Sequence, residues 1–284
     1  AEAIYRQVLA SHAKHVDALH LLGVLCAQTG RAAEGVGLIQ QAVKLNGLVP
    51  ALHSNLANAL LACGRAQEAV ASASKALALQ PTFVDALCSK GNALRELRRL
   101  VEAVASYDQA IALNPQIPEV WNNRGNALSD LHRHAEAVAS FDRALALRPQ
   151  FPDAWCNRGA ALSEQGLLDE ALQSYGQALA LKPAYPEALN NRANTLREMG
   201  RLQDAVEAFE QALSARPDYP DALSNLGVTL QEVGRQDEAI ARYRQALSLQ
   251  GDHLKARSNL LFSLSLDPNC TPQAYLAEAR VYGE

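Results

Sequence analysis

The chain has 284 residues, 20% of them charged, and a formal net charge of −4. No basic excess offers a surface to nucleic acid or to an anionic membrane, and no run of about 18 apolar residues is present to span a bilayer. The five cysteines are an odd number with no CxxC pair, which argues against a disulfide framework or a zinc site and for a reducing, cytoplasmic setting.

A helical pattern is already under way at the first residue, so residues 1–15 read as the second helix of a pair whose first helix lies upstream. Tyr5 stands where Tyr107, Phe141, Tyr175, Phe209 and Tyr243 stand later. From residue 16 a 34-residue period sets in, marked by Pro81, Pro115, Pro149, Pro183 and Pro217. Seven units tile the chain as 16–49, 50–83, 84–117, 118–151, 152–185, 186–219 and 220–253, each predicted to be a pair of antiparallel helices. A unit this short cannot bury its apolar face alone, so neighbours must stack and share one core.

The recurring residues have packing reasons. Position 8 of each unit is small: Gly23, Ala57, Gly91, Gly125, Gly159, Ala193 and Gly227. Glycine there sacrifices up to ~1 kcal/mol of helix propensity, so a close approach of helices must compensate. Ala69, Ala103, Ala137, Ala171, Ala205 and Ala239 supply the matching small residue on the second helix, and Leu60, Leu94, Leu128, Leu162, Leu196 and Leu230 fill the space between. Gly-Arg pairs at 30–31, 64–65, 200–201 and 234–235 mark the turns, and Pro118, Pro152, Pro186 and Pro220 open first helices. The first full unit departs from this pattern. Gly35 and Gly37 interrupt its second helix and are expected to weaken it by ~1 kcal/mol each, so this end should fray.

The pattern resembles the tetratricopeptide repeat family along residues 1–266. The resemblance implies an all-α, right-handed superhelix of seven full repeats with partial repeats at both ends. Its first helices line a concave groove that binds partner peptides in extended conformation.

The candidate binding residues are asparagines. Position 6 holds Asn55, Asn123, Asn157, Asn191, Asn225 and Asn259, and position 9 holds Asn58, Asn92, Asn126 and Asn194. The two positions are three residues apart and share a helix face. Asparagine is a poor helix former, yet its amide offers both a donor and an acceptor to a peptide backbone. It serves equally to bond a neighbouring helix, and both readings stand at this point. The acidic residues at positions 2 and 19 complement helix dipoles. Lys90, Arg124, Arg158 and Arg192 form a basic stripe at position 7, which could meet acidic side chains of a bound peptide or pair with Asp and Glu of adjacent repeats; the shared period of the acids favours internal pairing. Positions 5 and 6 carry no Lys or Arg, which speaks against a clamp for a partner's C-terminal carboxylate. No histidine, cysteine or serine arrangement suggests catalysis, and no cofactor or metal is expected.

An eighth first helix starts at 254 and its pattern breaks at Asp267-Pro268. Asn269-Cys270-Thr271 matches a glycosylation sequon and is read as chance. Thr271-Pro272 then opens a last helix, whose Tyr275, Leu276, Ala279 and Tyr282 are expected to cap the stack. Residues 257–284 also resemble the segment that joins repeats to catalytic lobes in bacterial O-linked N-acetylglucosamine transferases of the Spindly-like group. That resemblance implies a substrate-recruiting arm, with a glycosyltransferase domain expected after Glu284. A stand-alone scaffold, or self-association into a homo-oligomer, is the alternative.

Overall fold

A computed structural model of the chain describes residues 1–266 and 270–283. The helix break at Asp267-Pro268, the sequon asparagine Asn269, the Tyr282 side chain and Glu284 lie outside the described residues. Contacts divide the chain into two compact units, Ala1–Pro149 and Gln150–Glu284. The first holds α1 (Glu2–Ser11), α2 (Val16–Gln28), α3 (Ala32–Leu45), α4 (Pro50–Ala62), α5 (Ala66–Leu79), α6 (Val84–Glu96), α7 (Leu100–Leu113), α8 (Pro118–Asp130) and α9 (His134–Leu147). The second holds α10 (Pro152–Ser163), α11 (Leu168–Leu181), α12 (Pro186–Glu198), α13 (Leu202–Ala215), α14 (Pro220–Glu232), α15 (Gln236–Leu249), α16 (Leu254–Leu266) and α17 (Pro272–Gly283). Every described element is helical. Within each unit, an even-numbered helix pairs with the odd-numbered helix after it, and the next pair stacks on that one.

Proline and glycine punctuate the pairs. Pro50, Pro118, Pro152, Pro186 and Pro220 sit in the first turn of their helices, where a missing N–H goes unnoticed. Between paired helices one residue turns left-handed: Gly30, Gly64, Gly166, Gly200 and Gly234 at φ 72 to 84°. Arg98 and His132 adopt φ 59° at the same position without a glycine's freedom. The next N–H then closes the helix end, as Arg65 N–H does on Leu60 O and Arg99 N–H on Leu94 O, both at 2.9 Å. Those arginines go on to pair with the acid three residues later, Arg65–Glu68 and Arg99–Glu102 at 2.7 Å and Arg235–Glu238 at 2.6 Å. Such exposed pairs are screened by solvent and add little stability. Glu68, Glu102 and Glu238 therefore meet an arginine as well as the helix dipole, whereas Glu170 has Leu167 in the arginine's place.

The core is a ring laid over a glycine. Tyr107, Phe141, Tyr175, Phe209 and Tyr243 of the second helices are at most 1% exposed, and burial of each contributes about 1.5–3 kcal/mol. A Cβ added to Gly91, Gly125 or Gly159 would lie 2.5–2.6 Å from the ring of Tyr107, Phe141 or Tyr175, and Gly227 faces Tyr243 in the same way. This is the close approach that the small residues at position 8 required. Gly35 belongs to the same logic. Its Cβ would meet Gly23 O at 2.5 Å and Ala27 N at 3.0 Å, so here α2 and α3 touch backbone to backbone. The expectation that Gly35 only weakens α3 misses this contact, whereas Gly37 faces open space.

The position 2 acids also do more than face a dipole. Glu119 accepts from Arg148 and Glu187 from Arg216, 29 residues on in each case, which ties the start of a first helix to the end of its own repeat. At the N-terminal edge, Glu2 accepts from Arg31 at 2.7 and 2.8 Å and from Arg6 at 2.9 Å, and Arg6 also reaches Glu34 at 2.8 Å. This network docks α1 on the next pair. At the other edge, Tyr275 packs on the last core cluster while Leu276 is 53% exposed, so only part of the expected capping face is covered.

Two tests follow from this packing. The Tyr107 hydroxyl is anchored to Asn92, so its ring cannot retreat from an added Cβ. Gly91→Ala should therefore lower stability by about 1–3 kcal/mol, while Gly37→Ala should raise it by ~1 kcal/mol; urea unfolding followed by circular dichroism reads both. Separately, the hydrogen bonds from Arg31 and Arg6 hold the Glu2 carboxyl down to about 2, from an ordinary value of 4.5. A depressed carboxylate stabilises the docked state above its ordinary value and loses that contribution as pH falls through the folded value. Protection of the α1 amides against hydrogen exchange should thus decline between pH 4.5 and 2, and Glu2→Gln should lower it already at neutral pH.

Candidate functional site

The asparagines lie on the first helices, and their partners separate them into two kinds. Position 6 reaches sideways to the first helix of the preceding repeat. Asn55 Nδ2 meets His20 Nε2 at 2.7 Å, and Asn123 Nδ2 donates to Asn92 Oδ1 at 3.2 Å. In the second unit, Asn225 Nδ2 donates to Asn190 Oδ1 at 3.2 Å, and Asn191 Nδ2 lies 3.9 Å from Cys156 Sγ. Each of these spans 31 or 35 residues, three fewer or one more than a repeat. Asn157 is half-buried in the same row.

Position 9 is more open. Asn92 is the exception, because its Oδ1 accepts from both the Tyr107 hydroxyl at 2.7 Å and Asn123. Asn58 Oδ1 accepts from Ser89 Oγ at 2.8 Å, which leaves its Nδ2 unused. Asn126 and Asn194 are half-buried, and among the described residues their amides have no hydrogen-bond partner. Asn259, in the position 6 row of α16, is likewise without one. The two rows are thus brought onto one face in each unit, but only part of them is free to meet a ligand.

Two cysteines, Cys88 and Cys156, stand on the same first helices. Burial pushes the Cys88 and Cys156 thiols up to about 11, so neither is a thiolate nucleophile near neutral pH. Among the described residues no group of three or more His, Cys, Asp or Glu side chains is placed to hold a metal. The basic stripe turns inward where its partners are visible. Arg124 Nε donates to Asp108 at 2.6 Å, Arg124 also donates to Ser140 Oγ at 2.7 Å, and Arg158 donates to Ser174 Oγ at 2.7 Å. No described helix is long and apolar enough to cross a membrane.

Sequence reasoning missed a row of acids at position 13: Glu96, Asp130, Glu164, Glu198 and Glu232. They stand at the C-terminal ends of first helices, where a negative charge opposes the helix dipole. Asp130 accepts from Arg95 at 2.7 Å and Glu232 from Arg197 at 3.0 Å. The 34-residue period was enough to find this row.

The division between bonded and free amides is measurable. Asn92→Ala strands the buried Tyr107 hydroxyl and should lower stability by about 1–3 kcal/mol. Asn126→Ala removes no hydrogen bond and should stay within about 0.5 kcal/mol of the parent. Equal losses in thermal unfolding would refute the distinction.

Tetratricopeptide repeat models match residues 1–51, 50–74 and 184–252, and a TPR repeat model matches 91–131, 125–166 and 162–200. No curated protein matches significantly. Among solved structures, the chain is similar to one from the APC/C hetero-tetramer Cut9-Hcn1, at 16% identity and a TM-score of 0.74, covering 93% of this chain and 52% of that one. It therefore spans about half the length of that relative. It is also similar to PilW, a type IV pilus biogenesis factor, at 26% identity and a TM-score of 0.69, covering 74% of this chain and 98% of PilW. A third likeness is to YrrB, described as a TPR protein with an unusual peptide-binding site, at 24% identity and a TM-score of 0.52, covering 65% of this chain and 95% of YrrB. In all, 474 solved chains match, so likeness of fold does not choose among functions. With repeat models over residues 1–74 and 91–252, the chain belongs to the tetratricopeptide repeat family.

Proposed function

We propose that the chain is a protein-interaction module that holds an extended segment of a partner protein along its first helices. The observation that carries this reading is the set of unbonded amides at Asn126, Asn194 and Asn259, together with the free Nδ2 of Asn58. A half-buried amide without a partner leaves hydrogen-bonding capacity unused, and an extended peptide presents alternating N–H and C=O groups that use it. The position 6 amides Asn55, Asn123, Asn191 and Asn225 act mainly as lateral ties and as a second row behind the ligand, with Asn157 among them. YrrB, a tetratricopeptide protein with a peptide-binding site, makes the use of this fold plausible. The chain itself does no catalysis in this reading. In this reading residues 16–253 form the array, 1–15 are a partial repeat, and 254–284 are a partial eighth repeat with a capping or junction helix.

A narrower reading makes the array the recruiting arm of an O-linked N-acetylglucosamine transferase. It rests on the resemblance of residues 257–284, and neither the family matches nor the similar structures add to it. The intact mass and open reading frame of the native protein separate this reading from the stand-alone scaffold. A nucleotide-sugar-binding domain after Glu284 supports the first, and a stop codon soon after it supports the second.

The peptide-binding reading is tested with binders selected from a displayed random peptide library. Replacing Asn126, Asn194 and Asn259 together by Ala should leave helicity unchanged and weaken the selected peptides at least ~tenfold, since each lost backbone hydrogen bond is worth about 0.5–1.5 kcal/mol. Unchanged affinity in the folded triple variant would contradict it.

A further inference from the structure

Between α2 and α4 lies a pocket of about 170 Å³, lined by Val24, Ala27, Gln28, Asn55, Asn58, Ala59 and Ala62. We infer that this pocket is a subsite for one uncharged, Leu- to Phe-sized side chain of a bound extended peptide. The inference rests on the peptide-binding reading and names the chemistry of its ligand.

Size comes first. A dry cavity of ~150 Å³ holds one benzene molecule, so this pocket has room for one large apolar side chain and no more. It is too small for a cofactor, whose sites run to roughly 300–1,000 Å³. Charge comes second. Four walls are aliphatic and three are neutral amides, and no lining residue is ionised. A Lys or Glu side chain placed there would be desolvated without a counter-charge.

The amides supply the third argument. Asn55 uses its Nδ2 on His20, so its Oδ1 remains to accept. Asn58 uses its Oδ1 on Ser89, so its Nδ2 remains to donate. The side chain of Gln28 has no partner among the described residues. A residue whose side chain enters the pocket presents one backbone N–H and one C=O at its mouth. The two asparagines offer the complementary acceptor and donor.

The pocket is local for a reason visible in the sequence. At positions 12 and 13 these two repeats carry Ala27-Gln28 and Leu61-Ala62. The next repeats carry Arg95-Glu96 and Ser129-Asp130, and Arg95 and Asp130 pair across the same face. Ala27 and Ala62, small and neutral, therefore leave space between α2 and α4, beside two of the candidate asparagines.

The test uses ten-residue Gly/Ser/Thr host peptides with one central residue varied as Ala, Leu, Phe, Lys or Glu. They are titrated into the full chain while the methyl resonances of Val24, Ala27 and Ala62 are followed. The Leu and Phe peptides should bind at least ~tenfold more tightly than the others, consistent with burial of one large apolar side chain, and should shift all three methyl groups. Ala62→Leu, at the exposed last residue of α4 on the pocket's wall, fills the pocket and should abolish that preference without loss of helicity. Equal binding of all five peptides, or a preference that survives Ala62→Leu, overturns the subsite. If binding is then still lost in the Asn126, Asn194 and Asn259 triple variant, the peptide-binding reading stands without it. No binding of any host or library peptide to the parent chain overturns both.

Discussion

The contact on which the rest depends is the aromatic ring packed against a first-helix glycine. It sets how closely two paired helices approach, and every other spacing inherits that distance. Gly91, Gly125, Gly159 and Gly227 give up helix propensity, and the buried rings of Tyr107, Phe141, Tyr175 and Tyr243 more than offset the loss. Where the ring is absent the contact changes form. Ile39 stands opposite Gly23, and a second glycine, Gly35, lets the backbones touch. Ala193 stands opposite Phe209 in the one aromatic pair without a glycine.

Fixing each pair in this way also fixes which face of the first helix is left over. That face carries two rows of amides with different work. At position 6, Asn55, Asn123, Asn191 and Asn225 tie a first helix to the one before it, through contacts such as Asn123 with Asn92 and Asn225 with Asn190. The position 9 row keeps unused donors and acceptors at Asn58, Asn126 and Asn194. The same residue type thus ties two helices together at Asn123 and, three residues on at Asn126, has no partner among the described residues. Around these rows the surface changes character, from the neutral pocket beside Asn55 and Asn58 to the acidic helix ends at Glu96 and Asp130.

Much of this was legible in advance, and for physical reasons. Proline has no N–H to continue a helix, so a proline every 34 residues located the breaks. Small residues at position 8 announced a close approach before its partner was known. What sequence could not supply were the hydrogen bonds that cross between repeats. Asn123 and Asn126 look alike as letters, yet one has a partner 31 residues away and the other has none among the described residues. Gly35 read as a defect because helix propensity is local, while the backbone contact it permits is not. Arg98 and His132 hid two left-handed turns that glycine marks elsewhere. The inward pairing of Arg124 followed the shared period of acids and bases, although Asp108, its partner, belongs to neither of the two acidic positions singled out.

The most direct measurement is of the asparagine side-chain amide resonances during titration with a peptide selected for binding. If the unbonded amides face the ligand, the Asn126 and Asn194 signals will move in proportion to occupancy, while those of Asn92, held by Tyr107 and Asn123, will stay in place. Saturable binding that leaves Asn126 and Asn194 unmoved would put the peptide elsewhere on the chain and contradict the account.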